Sequence, residues 1–323
     1  MSIVGDVKEG GIGAVRKWAV ELDGVEPQRV VPNAAGLPEE ALLTLADRVR
    51  RWHATQRPSD VALEVEPGVR LERRWVALDT IGVYVPRRLI STLVMCVVPA
   101  QVAGVRRIVV CTPPAGAGLV AAAAALLGVD EVWSLGGPQA IGFLAYVERV
   151  DKIVGPGNRY VNEAKLEVSR DVPIDLPGGP SEVIVAGDGD PLVVAQELAA
   201  QREHGEDAVC EQVATLAEAE ERAPEHLVLL GSAEDEADRV RNAGAVFVGP
   251  WSPVAAGDYA TGGNHVLPTN GWARSVGGLG LETFMKPVTI QRLTREGLAL
   301  VRPTVEALAE AEGMSAHAAA VQR

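Results

Sequence analysis

Hydrophobic side chains recur along the chain at two spacings, and the order in which these spacings alternate predicts the fold. After Pro38, the positions Leu42, Leu45, Ala46, Val49 and Trp52 fall three or four apart, with acids early and arginines late, which predicts an amphipathic helix. Ile81, Val83 and Val85 alternate with Gly82 and Tyr84 up to Pro86, the pattern of a strand that turns Tyr84 away from its apolar face. The central stretch runs as a strand at 107–112, a helix over 119–127 closed by Gly128, a strand at 131–135, the Gly136-Gly137 turn and a further helix from Pro138. That order builds a parallel βαβ unit. A shorter strand at 152–154 leads into Gly155-Pro156-Gly157-Asn158 and another helix. Such glycine-rich turns offer free backbone N–H groups to phosphates, so a ligand is expected at the carboxyl ends of these strands.

A second α/β block begins with a strand at 182–186 and continues through a helix from Pro191 to about His204. It resumes with a strand at 227–230, a helix over 234–241 and a strand at 245–248. From Thr294 onward the pattern is mainly helical, with a break at Pro303. The expected architecture is α/β: two Rossmann-like parallel-sheet domains with a helical N-terminal segment and a C-terminal helical arm. The expected division groups 1–83 with 182–285, sets 84–181 apart as a second domain, and leaves 286–323 as the arm.

A length of 323 residues suits about two domains with a core that needs no disulfides. The chain is 47% hydrophobic but only 4% aromatic, rich in the small aliphatic residues that let helices pack closely on sheets. A net charge of -13 without a basic stripe argues against nucleic acid and anionic membranes as partners. Cys96, Cys111 and Cys210 are isolated and read as free thiols in a reducing compartment. The first 15 residues alternate glycine and charge, with neither an apolar signal core nor an arginine-rich leader, so a cytoplasmic protein is expected.

Candidate chemistry concentrates after residue 200, where four of the five histidines lie. Val194, Leu198 and Gln201 continue one helical stripe, and His204 follows three residues later on the same side. An amide and an imidazole one turn apart could share a metal ion, although spacing alone favours reading His204 as a residue that complements the helix dipole. Zinc would require further ligands, for which Asp258 and His317 are candidates; the plainer readings are a turn aspartate and an exposed tail histidine. Glu225-His226, directly before a strand, could divide proton-transfer work, or be an ordinary Pro-Glu-His loop. No G-x-G-x-x-G follows a strand, so a dinucleotide site has no independent motif behind it.

Taken together, nine ordered stretches resemble the histidinol dehydrogenase family: 82–86 (GVYVP), 99–104 (PAQVAG), 129–141 (VDEVWSLGGPQAI), 150–165 (VDKIVGPGNRYVNEAK), 179–183 (GPSEV), 201–205 (QREHG), 223–227 (APEHL), 249–269 (GPWSPVAAGDYATGGNHVLPT) and 311–317 (AEGMSAH). The resemblance implies one Zn2+ per subunit on Gln201, His204, Asp258 and His317, with Glu225 and His226 as the catalytic residues. It places NAD contacts on Tyr84, Gln139 and Asn158, and substrate contacts on Ser181, His265 and Glu312 in addition to His226 and the zinc ligands. It further implies oxidation of L-histidinol through histidinal to L-histidine, in a homodimer whose C-terminal arm brings Glu312 and His317 to the neighbour's site. A paralogue oxidising another small alcohol, or a catalytically silent zinc-binding homologue, would share much of this pattern. Two departures stand out: Arg87-Arg88-Leu89-Ile90 replaces a longer Gly-Gly loop, and only 205–222 bridges the Gln201-Arg202-Glu203-His204 and Pro224-Glu225-His226-Leu227 motifs.

Overall fold

The computed structural model describes residues 2–323 and divides into two compact units, one formed by 1–57 with 78–284 and the other by 58–77 with 285–323. In chain order the elements are α1 (Ile3–Asp23), β1 (Gln28–Arg29), α2 (Glu39–Ala54), β2 (Val61–Glu66), β3 (Val69–Ala77), β4 (Thr80–Tyr84), α3 (Ile90–Ala103), β5 (Arg107–Thr112), α4 (Ala117–Leu126), β6 (Val132–Ser134), α5 (Gly137–Gly142), β7 (Lys152–Val154) and α6 (Arg159–Val168). They continue as β8 (Glu182–Gly187), α7 (Pro191–Arg202), β9 (Val209–Val213), α8 (Leu216–Arg222), β10 (His226–Leu230), β11 (Ala245–Val248), α9 (Val254–Ala256), β12 (Met285–Leu293), α10 (Arg295–Ala311) and α11 (Ser315–Ala320).

The first unit holds two sheets. One has five strands in the order β1-β6-β5-β4-β7, parallel except where β1 pairs with β6. The other has four parallel strands in the order β11-β10-β8-β9. The α/β class with parallel sheets is therefore as the hydrophobic pattern implies. Both faces of the central strands are covered, so Ile81, Val83 and Val85 are buried and Tyr84 is buried with them, in a cluster with Phe143, Leu144 and Ile153. Tyr84 does turn away from the face of Ile81, Val83 and Val85, but its own face is covered as well, so both sides of the strand are buried.

The N-terminal segment is helical, but α1 was invisible in the pattern because Gly10, Gly11 and Gly13 interrupt it. Two helical pieces meet at Gly11 (φ 55°), Ser2 caps the start by accepting from the Gly5 N–H, and Val4, Val7, Val15 and Ala19 form the buried face. This helix packs on α5, and α2 packs on α3, so residues 3–54 accompany the five-stranded sheet. β4 belongs to that sheet as well. The grouping thus differs from the expected union of 1–83 with 182–285, because sheet membership follows long-range pairing that spacing does not encode.

The second unit is a three-stranded antiparallel sheet in the order β12-β3-β2, followed by α10 and α11. Its 285–293 portion is a strand, so the arm is not helical throughout, and α10 continues through Pro303 without the expected break. Gly297 lets the β2–β3 turn approach closely, since a Cβ there would lie 2.2 Å from the Gly68 carbonyl oxygen. Among the described residues no helix is long and apolar enough to cross a membrane.

Candidate active site

Glu225 and His226 mark the amino end of β10, beside Ser181 and Glu182 at the amino end of β8. Parallel pairing of His226 with Val183 fixes this neighbourhood. Glu225 Oε2 accepts from the Ser181 hydroxyl at 2.5 Å and from the Glu182 N–H at 2.9 Å. Burial pushes the Glu225 carboxyl up to about 7, against the pull of those two donors. His226 is buried, and its Nδ1 lies 3.0 Å from the Glu182 carbonyl oxygen. A carbonyl can only accept, so Nδ1 carries the proton and Nε2 is left with a lone pair. Nε2 has no hydrogen-bond partner and faces Asp258 Oδ1 at 3.8 Å, too far for a direct hydrogen bond. Burial holds the His226 imidazolium below its ordinary range, partly offset by the Asp258 charge.

Asp258 sits in a tight helical turn, 257–261, that follows α9. The carboxyl is raised by burial, while the charges of His226 and His204 pull it down. His265 secures this turn: Nδ1 donates to the Asp258 carbonyl at 3.1 Å, which leaves Nε2 to accept from the Thr92 hydroxyl at 3.2 Å. Its imidazolium is pushed down to about 4 by burial. A cavity of about 420 Å³ opens beside these groups, bounded by His226, Asp258 and His265 together with Trp52 and His53 of α2 and Gln56 just beyond it. Gly262 (φ 96°) allows α2 to close it, because a Cβ would meet the Arg48 carbonyl carbon at 2.7 Å.

Gln201 is buried near the carboxyl end of α7, and its Nε2 lacks a partner. His204 Nδ1 lies 3.2 Å from the Gln201 carbonyl oxygen, so its Nε2 is available to a ligand. One turn before Gln201, buried Glu197 accepts from the Val254 N–H at 3.1 Å and so anchors the segment that delivers Asp258. Glu197 and Glu182 escaped the sequence reading, although the four-residue step from Glu197 to Gln201 was a usable signal. Ser181, Glu225, His226, Asp258 and His265 are thus gathered in one place, and His204 is near enough for its charge to act on Asp258 and His226. Glu312 and His317 belong to the second unit, where both are exposed. Among the described residues no three His, Cys, Asp or Glu side chains form a metal-holding cluster.

Tyr84 ends β4, while Gln139 and Asn158 follow the carboxyl ends of β6 and β7. Asn158 caps α6, its Oδ1 accepting from the Val161 N–H at 3.1 Å. Gln139 is fully buried; its Nε2 donates to Asp23 at 3.1 Å and its Oε1 has no partner. The expected free N–H groups of the glycine turns are in fact occupied. Gly136 donates to Asp23 Oδ2 at 2.9 Å, Gly137 to the Tyr84 hydroxyl at 3.3 Å, and Gly155 to Asp175 Oδ2 at 2.7 Å.

The family model described as histidinol dehydrogenase matches residues 1–219 and 209–323. Histidinol dehydrogenase of Methanosarcina barkeri is 37% identical over 99% of this chain and 90% of its own, and that of Haloarcula marismortui is 40% identical over 99% and 92%. The first of these alignments spans 389 positions against 323 residues here, so the relatives carry chain that this protein lacks. A crystal structure of histidinol dehydrogenase from Elizabethkingia anophelis superposes with a TM-score of 0.88 at 32% identity, covering 99% of this chain and 89% of that one. An acetylating aldehyde dehydrogenase from Geobacillus thermoglucosidasius shares the fold alone, at a TM-score of 0.54 and 11% identity. Sequence over nearly the whole length and backbone agree: the chain is an enzyme of the histidinol dehydrogenase family.

Proposed function

We propose that the protein oxidises L-histidinol through histidinal to L-histidine, passing two hydrides in turn to NAD. The observation that carries the reading is the buried pair Glu225 and His226 with half-buried Ser181 and Asp258 beside them, and an unprotonated His226 Nε2 facing the cavity. His226 takes the alcohol proton as the first hydride departs. Glu225, with a carboxyl at about 7, can then exchange a proton with the water that adds to the aldehyde. The hydrate loses a second hydride and a second proton. When bound, NAD supplies the hydride acceptor.

The residues fit a zinc ion. The side-chain carbonyl of Gln201, the free Nε2 of His204 and the Asp258 carboxylate are an N/O donor set, and a carbonyl on the second ring nitrogen of His204 is the usual support of a metal-bound imidazole. His317 of a second copy would complete it, with Glu312 of that arm reaching the substrate. Zinc would supply a point to which the amine and imidazole of histidinol are held, orienting the carbinol carbon. A homodimer suits the second unit, which leaves Val61, Leu63, Leu300 and Leu308 more than half exposed. A cytoplasmic location suits three unpaired thiols.

The deciding assay supplies L-histidinol and NAD to the purified protein and counts products. Two NADH per histidine supports the reading; NADH from other small alcohols but none from histidinol replaces it with a different dehydrogenase. Mixing the inactive variants His226→Ala and His317→Ala tests the shared site. Heterodimers would regain one intact site, returning about a quarter of wild-type activity on statistical mixing. No recovery in exchanging dimers removes the arm from the active site.

A further inference from the structure

Among the described ion pairs the most deeply buried lies outside the chemistry assigned above. Lys165 of α6 contacts Asp175, with side chains only 3% and 1% exposed. Both partners also hold Gly155. Lys165 Nζ donates to the Gly155 carbonyl at 2.9 Å, and Asp175 Oδ2 accepts from the Gly155 N–H at 2.7 Å. Asp175 is itself placed by the neighbouring backbone: Ile174 bridges Ile153 in parallel, and the Asp175 N–H donates to the Ile153 carbonyl at 3.0 Å. Gly155 has φ 108°, and a Cβ there would stand 2.1 Å from the Tyr84 carbonyl oxygen, so the turn lies directly against the end of β4.

A buried ion pair gives no more stability than well-packed apolar side chains of the same volume would. What apolar side chains cannot do is grip the N–H and the carbonyl of one left-handed residue simultaneously. We propose that Lys165 and Asp175 are positioning residues for the cofactor: by clamping Gly155 they fix the spacing between Tyr84 and Asn158, and thereby set the affinity for the dinucleotide. This rests on reading Tyr84 and Asn158 as cofactor contacts. It also explains how a turn whose N–H is already taken can serve a nucleotide site, since its work is to place side chains rather than to cradle phosphate.

The test compares two double variants of the full-length protein, Lys165→Met with Asp175→Leu, and Lys165→Gln with Asp175→Asn. The first removes the clamp, and the second keeps neutral hydrogen bonds. For the Met/Leu form the expected result is an NAD KM raised about tenfold, with kcat and histidinol KM within about twofold of wild type, because only ground-state cofactor placement is lost. Amide exchange at Gly155 should accelerate, and the Gln/Asn form should recover most of the NAD KM. The proposal is overturned if NAD KM is unchanged in a folded Met/Leu form, or if kcat and both KM values move together with the unfolding midpoint. Failure of both doubles to fold would equally make the pair a stability element and end the proposal. Direct titration of wild type with NAD separates the two levels: no binding sinks the functional reading itself, whereas normal binding with an insensitive Gly155 sinks only the clamp.

Discussion

The two sheets of the first unit place their proposed site residues at opposite ends. In the five-stranded sheet, Tyr84, Gln139 and Asn158 stand at or just past the carboxyl ends of strands, where helices begin. In the four-stranded sheet, Ser181, Glu225 and His226 stand at the amino ends, beside Gln201 at the close of α7. Helix starts favour anions and helix ends favour cations. Under the proposed function the contrast would separate the residues assigned to the cofactor from those assigned to the metal, within one parallel architecture.

Removing His226 tests the amino-end face most severely. His226→Ala should lower turnover by about a thousandfold, within the range for loss of a general base, with zinc content unchanged by metal analysis. Loss of metal in that variant would recast His226 as a ligand. Glu197→Ala comes next: freeing the Val254 N–H should loosen Asp258 and weaken zinc about tenfold, as losses of supporting contacts do, while NAD affinity stays constant. A change in NAD affinity instead would blur the division between the faces.

A pH experiment follows. The Glu225 carboxyl is at about 7 against an ordinary 4.5, so between those values the folded chain keeps a proton that the unfolded chain has released. The associated stability is complete below pH 4.5 and is lost as pH rises to 7. Unfolding of Glu225→Gln should lack that decline, and Ser181→Ala, which removes a donor to the carboxylate, should move it to higher pH. A profile identical in all three proteins would dissociate Glu225 from the effect. The smallest change belongs to the carboxyl-end face. Tyr84→Phe removes an acceptor from Gly137, and a shift of about twofold to fivefold in NAD KM is expected, in line with the modest worth of one hydrogen bond. A hundredfold change would give the hydroxyl a direct part in binding.

Much of this molecule was legible in its sequence where signals are local. The run from β5 through α4 to β6, the amphipathic α2 and the inward stripe ending at Gln201 follow from spacing alone. What escaped depends on distant partners. The acceptor that occupies the Gly136 N–H lies 113 residues away at Asp23, and the one that occupies Gly155 lies 20 residues away at Asp175. The glycines of α1 hide its bounds, because neither the Ser2 cap nor its packing on α5 has a periodic signature. β12 was taken for helix although it pairs along its whole length with β3, more than 200 residues earlier. Ser181 and His265 enter only through family resemblance, and Asp258 only as one candidate ligand, since their convergence with Glu225 and His226 is created by strand register and one tight turn.

Asp23, at the close of α1, keeps the Gly136 turn supplied with a tethered carboxylate. A covalently attached acceptor acts at a local concentration that dissolved ions do not approach. The Gly136 N–H is therefore satisfied by the chain's own carboxylate, and the shape of this turn does not wait on an outside anion to complete it.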